Sequence, residues 1–83
     1  MNEPQIPPPD RRIDITAERC PMTLVKTRLA LDRMQAGEVL EVLLAGDEPR
    51  RSVPEATFML GHDVLASDDL EDGRTRLLIR KNG

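Results

Sequence analysis

Cys20 is the only thiol in the sequence, and Pro21 follows it directly. An alternating segment precedes the pair, and a run free of glycine and further proline follows it. A residue before proline is pushed out of the α region, which suits the extended geometry of a helix N-cap. Pro21 then occupies the first helical position, where its missing N–H costs nothing. A cap side chain at Cys20 would point at the N–H groups of Met22 and Thr23. Those donors and the positive end of the helix favour an anion on sulfur. Arg19 adds a cationic side chain beside it, and Glu18 opposes it. Cysteines in such settings reach pKa values roughly between 3.5 and 7.5, against about 8.5 when free. The thiolate is the nucleophile, so this placement makes a reactive sulfur. The plain alternative is a capping or buried cysteine without chemistry.

No partner for a Cys–His dyad stands nearby in sequence. His62, the single histidine, falls in the turn before the third strand and reads as structural rather than as a general base. An orienting acid and an oxyanion pocket are also missing from the pattern, which argues against a hydrolase. A reactive thiol without a base suits simpler chemistry, in which it accepts a sulfur atom, holds it as a persulfide and hands it on. Such chemistry would suit a relay carrier rather than a turnover enzyme on a small substrate.

Several elements must position this cysteine. Ile13 and Ile15 alternate with Asp14 and Thr16, the period of a half-buried strand. From Met22 to Gln35 the run is helical, with Gly37 near its expected C-terminal cap. The segment Glu38 to Leu44 (EVLEVLL) reads as a central strand. Arg50 to Leu60 reads as a second helix, and Pro54 moves its expected start towards Val53. Val64-Leu65-Ala66 opens a third strand, Asp72-Gly73 marks a hairpin, and Thr75 to Lys81 alternates as the last strand. The order β-α-β-α-β-β requires two crossovers. It predicts an α/β two-layer sandwich: a four-stranded mixed sheet with two helices on one face. Residues 1–10 (MNEPQIPPPD) hold four of the seven prolines and read as an extended, dispensable arm. The single domain is expected over 11–82.

The first helix has apolar residues on two sides. One arc gathers Thr23, Leu24, Thr27, Ala30, Leu31 and Met34, wide enough to face a sheet. Met22, Val25 and Leu29 lie opposite. They are either scattered surface hydrophobes, which need no account, or a docking patch beside Cys20.

Composition narrows the classes further. Eighty-three residues with a net charge of −3 and one aromatic side chain, Phe58, make a single small domain and a poor general nucleic-acid binder. One Cys and one His build neither an internal disulfide nor a structural zinc site, so no metal and no cofactor are expected. No apolar run spans a bilayer, and a lone thiol argues for a reducing compartment, the cytoplasm.

With these residues in view, the sequence resembles the TusA/SirA-like sulfur-carrier family. The resemblance runs from about Ile13 to Lys81. It is carried by Ile13-Asp14, Arg19-Cys20-Pro21, Met34-Gln35-Ala36-Gly37-Glu38, Asp47-Glu48-Pro49, Val53-Pro54, Gly61-His62 and Leu78-Ile79-Arg80-Lys81. It implies the same β-α-β-α-β-β fold and a persulfide on Cys20, the cysteine of the family's Cys-Pro-x-Pro motif. Arg19, Pro21, Met22 and Thr23 are the supporting residues of the expected helix cap, and with the resemblance the strip of Met22, Val25 and Leu29 becomes the favoured docking surface. The implied partners are a cysteine desulfurase or rhodanese-like donor and an acceptor protein serving tRNA thiolation, cofactor maturation or sulfur metabolism. The carrier is expected to be monomeric when free. Three positions depart from the family: Thr23 replaces its second proline, Ala17 its usual glycine and Glu18 its usual leucine. Glu18 next to the sulfur should raise the thiol pKa relative to an apolar neighbour.

Two rival readings remain. One is an interaction or regulatory module that kept the fold without the chemistry. The other is an RNA-binding module, suggested by Arg74, Arg76 and Arg80 on one strand face and by Arg50-Arg51 at the second helix. Against direct nucleic-acid binding stand the net negative charge and the lack of stacking surfaces.

Overall fold

The computed structural model describes residues 8–19 and 21–82. Cys20 and most of the Pro-rich arm therefore lie outside the described residues. The elements are β1 (Arg11–Asp14), α1 (Met22–Asp32), β2 (Val39–Ala45), α2 (Asp47–Met59), β3 (Asp63–Asp69) and β4 (Arg74–Arg80). The strands form one mixed sheet in the order β1-β2-β4-β3, with β1 parallel to β2 and the other pairings antiparallel. The expected β-α-β-α-β-β two-layer sandwich is the observed fold.

Strand chemistry explains this order. β4 buries Thr75, Leu77, Leu78 and Ile79, so it belongs inside the sheet. β3 carries Asp63, Ser67, Asp68 and Asp69, and charged residues suit an edge, where they discourage pairing with another chain. The core lies between sheet and helices. It is built from Ile15, Leu31, Met34, Leu40, Val42, Leu44, Val53, Leu77 and Ile79, with Ile13, Leu24 and Val64 packed against it.

Helix ends differ from expectation. α2 begins at Asp47, well before Val53, and runs through Pro54. Gly46 supplies the entry with φ of 99°, a left-handed value that favours glycine. Asp47 and Glu48 then place negative charge in the first turn, where the helix dipole favours it. Pro54 lacks the N–H for one helical bond. Burial of Val53 and Thr57 against the sheet keeps the helix continuous there. α1 ends at Asp32, and Gly37 is not its cap. Gly37, with φ of 92°, instead turns the chain into β2 and donates its N–H to the Lys81 carbonyl at 2.8 Å.

At the N-terminal side of β1, Asp10 is bonded to the sheet. The Asp10 N–H donates to the Val39 carbonyl (2.7 Å), and the Asp10 carboxylate accepts from the Val39 N–H (2.8 Å). Asp10 thus extends the pairing of β1 with β2 and belongs with the folded part. Deleting residues 1–7 is expected to leave the melting temperature nearly unchanged. Deleting 1–10 also removes both Asp10–Val39 bonds and should cost about 1–2 kcal/mol in a denaturant melt. Equal costs for the two deletions would show that the segment before Pro8 packs on the domain.

Candidate functional site

Parallel pairing of β1 and β2 sends the chain back along α1, so α1 starts at the end of the sheet where β1 stops. Residues 15–19 bridge Asp14 to Pro21 across that end. Their path is fixed by local bonds. The Asp14 carboxylate accepts from the Thr16 hydroxyl (2.7 Å) and from the Thr16 N–H (3.0 Å). The Ile15 N–H reaches the Leu43 carbonyl at 3.0 Å, and the Ile15 side chain is sunk in the core. The Glu18 N–H returns to the Ile15 carbonyl at 3.0 Å. Asp14, Ile15 and Thr16 therefore set the path of the chain that leads towards α1. An Asp-x-Thr spacing at the end of a strand is the sequence signal for such an Asx turn, and it adds these residues to the site. First the Thr16 hydroxyl and then the Thr16 N–H hold the Asp14 carboxyl below the usual carboxylate range. A depressed folded value means that this contribution to stability is present at neutral pH and is lost as the pH falls through it.

The start of α1 differs from the expected cap. Pro21 is itself the N-cap, with φ of −93° and ψ of 4°, and Met22 is the first helical residue. The N–H groups of Met22 and Thr23 both turn back to the Arg19 carbonyl, at 2.7 and 3.3 Å. Those of Leu24 and Val25 go to the Pro21 carbonyl, at 3.1 and 3.0 Å. The donors expected to serve the sulfur are thus already satisfied by backbone. What remains for an anion at this helix start is the dipole and nearby side-chain charge.

The charge balance differs too. Glu18 does not stand alone against the sulfur: its carboxylate accepts from Lys26 Nζ at 2.7 Å, one helical turn inside α1. Among the described residues Arg19 has no ion-pair partner and is exposed. The pair neutralises Glu18 and leaves Arg19 as the surplus cation next to position 20.

Thr23 is buried at 1 % exposure, and its hydroxyl has no hydrogen-bond partner among the described residues. Its N–H bond is long, and it shares its acceptor with Met22. A proline in its place would therefore lose little backbone bonding. Thr23→Val keeps the shape and removes the unpaired hydroxyl. It is expected to stabilise the fold by about 1 kcal/mol in a denaturant melt, since burying an unpaired polar group is unfavourable. A loss of similar size would show that the hydroxyl is used.

The two sides of α1 fall as the spacing predicts. Thr23, Thr27, Ala30, Leu31 and Met34 are buried, and Leu24 is partly buried on the core. Met22, Val25 and Leu29 are 42 %, 42 % and 49 % exposed. They form an apolar strip that begins two residues after Cys20 and runs along the helix.

Four of the five arginines that suggested a nucleic-acid surface are paired with carboxylates. Arg74, Arg76 and Arg80 lie on the helix-free face of the sheet. They pair with Asp72, Asp68 and Asp63 at 2.7, 3.5 and 2.8 Å. Arg50 pairs with Asp69 at 3.4 Å. An arginine already matched to a carboxylate adds little to a field for phosphate, so the basic face that suggested RNA is electrically balanced. His62 sits past the end of α2, at the far end of the domain from the start of α1. Its Nδ1 accepts from the Asn82 N–H at 3.0 Å, which ties down the segment after β4. Among the described residues no group of three His, Cys, Asp or Glu side chains can hold a metal. No helix among them is long and apolar enough to cross a membrane.

Known proteins are similar to this chain over most of its length. The family described as Sulfurtransferase TusA matches residues 11–81. A protein of Archaeoglobus fulgidus named "Putative sulfur carrier protein" is 35% identical over 69 residues, covering 83% of this chain and 78% of that protein. YedF of Escherichia coli K12, which bears the same description, is 36% identical over 74 residues, covering 88% of this chain and 94% of YedF. Among solved structures, a SirA-like protein of Desulfitobacterium hafniense superposes with a TM-score of 0.76 at 22% identity, covering 88% and 99% of the two chains. At that identity the likeness speaks for the fold.

Proposed function

This chain belongs to the sulfurtransferase TusA family, and from that premise we propose that it carries sulfur as a persulfide on Cys20. The observation that supports this most is a conjunction. The family match spans the turn Arg19-Cys20-Pro21, and Cys20 is the only thiol in the chain. In the proposed step the Cys20 thiolate attacks the outer sulfur of a persulfide on the donor protein. The S–S bond of the donor breaks, its cysteine leaves as a thiolate, and Cys20 holds the new S–S bond. Delivery repeats the exchange, with a nucleophile on the acceptor taking the outer sulfur and Cys20 leaving as a thiolate. No oxidant is consumed, because the sulfur arrives already at the sulfane level.

Arg19 and the positive end of α1 favour the anionic sulfur before and after transfer. Pro21 caps the helix, and Met22 and Thr23 form its first turn. Met22, Val25 and Leu29 offer the partner an apolar contact along α1. The donor in this reading is a cysteine desulfurase or rhodanese-like protein. The acceptor serves tRNA thiolation, cofactor maturation or sulfur metabolism. The cytoplasm, where thiols stay reduced, is the matching compartment.

The test is intact-mass measurement after incubation with a cysteine desulfurase and cysteine, repeated with a rhodanese and thiosulfate. One or more added sulfur atoms, removable by a thiol reductant, are expected. A chain that stays unmodified with both donors, under conditions that charge a known carrier, overturns the proposal.

A further inference from the structure

Three methionines fall within the described residues, and their surroundings differ. Met34 is 4 % exposed in the core. Met59, at 79 %, lies at the C-terminal end of α2, at the opposite end of the domain from the start of α1. Met22, at 42 %, is the first residue of α1 and the head of the apolar strip. We propose that Met22 is an oxidation site whose sulfoxide closes the docking strip to the sulfur donor. The proposal rests on the reading of Met22, Val25 and Leu29 as that strip.

The chemistry needs a two-electron oxidant such as hydrogen peroxide. A lone pair of the thioether sulfur attacks one peroxide oxygen, the O–O bond breaks, and an S=O bond forms. The other oxygen leaves as water with both protons. The sulfur is oxidised by two electrons and the peroxide is reduced by two. An apolar, flexible side chain becomes a polar one with a strong acceptor oxygen. On the strip, that oxygen would have to shed its water without gaining a donor whenever a partner covers it.

Placement makes this site distinct from cysteine oxidation. Met22 is exposed and lies two residues from Cys20 in the sequence. A sulfenic acid or mixed disulfide at Cys20 returns to thiol with ordinary thiol reductants. Methionine sulfoxide does not, and needs a dedicated reductase. Oxidation at Met22 therefore outlasts repair of the cysteine and leaves a carrier with a competent thiol and an altered contact surface.

The experiment separates the two sulfurs. Cys20 is first blocked as a mixed disulfide with a small thiol, the protein is treated with hydrogen peroxide, and the block is removed with dithiothreitol. Peptide mass analysis then reads the sulfoxide at each methionine. Sulfur loading is measured with the protein donor that charges the untreated chain, and separately with a small-molecule persulfide. Each rate is expressed relative to the same variant before peroxide. Sulfoxide at Met22 is expected to slow loading from the protein donor by about tenfold, the scale of one lost contact at the centre of an interface. Loading from the small persulfide and the melting temperature should hold. Met22→Leu should lose the peroxide effect and Met59→Leu should keep it.

Three results would overturn the proposal: Met59 oxidised while Met22 stays intact, Met22 oxidised with loading unchanged, or an equal peroxide effect in Met22→Leu. A lowered melting temperature on oxidation would also overturn it, since the sulfoxide would then act by unfolding. Charge substitutions at Val25 and Leu29 distinguish the broader failure. If they too leave loading from the protein untouched, the docking strip itself is refuted. If they slow it while the sulfoxide does not, only the oxidation site is.

Discussion

Cys20→Ser is expected to gain no sulfur under conditions that charge the wild-type chain, while melting at nearly the same temperature. The loss should be complete, because the sequence holds no second thiol to substitute. A serine hydroxyl stays protonated at neutral pH and forms no stable bond to a sulfane sulfur. The backbone at the start of α1 explains why folding should survive. The Met22 and Thr23 N–H groups donate to the Arg19 carbonyl, and those of Leu24 and Val25 to the Pro21 carbonyl. None of these depends on the side chain at position 20, so the exchange should change stability by no more than about 0.5 kcal/mol. Intact mass and a denaturant melt on the same preparation check both halves. Sulfur bound to the serine variant would mean that it is held at another atom, and the carrier assignment of Cys20 would fall.

The sequence spells out its layers more clearly than its joints. Period-two alternation locates β1 and β4, and the spacing of Leu24, Leu31 and Met34 orients α1, because each pattern reports burial averaged over a whole element. The strip of Met22, Val25 and Leu29 comes out of the same count as what the core does not use. The ends of elements depend instead on single backbone and side-chain bonds that leave no periodic trace. Pro54 reads as a helix breaker, yet α2 runs through it and starts at Gly46-Asp47, where a positive φ admits glycine. The cap of α1 lies one residue later than expected, because the Arg19 carbonyl takes the two N–H groups that a cysteine cap would have served. The partner of Glu18 stands eight residues away at Lys26, a separation at which sequence gives no reason to join two charges. These local bonds set the charge balance of the turn that leads into α1, and no periodic pattern in the sequence carries them.

Val25→Asp and Leu29→Glu carry the second large effect: slower sulfur transfer from the protein donor at nearly unchanged stability. In the proposed transfer a donor persulfide and the Cys20 thiolate would come almost into van der Waals contact for direct attack, so the partner's surface would have to surround Cys20. The exposed strip on α1 starts at Met22, two residues after Cys20 in the sequence. Apolar contact at the centre of a short-lived interface excludes water from the reacting sulfurs, and a carboxylate buried there is strongly unfavourable. A slowing of roughly tenfold to a hundredfold is the expected scale for a disrupted central contact. Stability should change by no more than about 1 kcal/mol, because both side chains are near half exposed and the core is filled from the opposite side of the helix. Loading from a small-molecule persulfide should stay normal, since that reaction needs the thiol and not the strip. Rates with both donors, read beside a denaturant melt, separate the outcomes. A fall of several kcal/mol in stability would mean that the strip supports the fold. Equal slowing with both donors would place the defect at the thiol. Unchanged rates with both would mean that the donor approaches Cys20 from a surface other than α1.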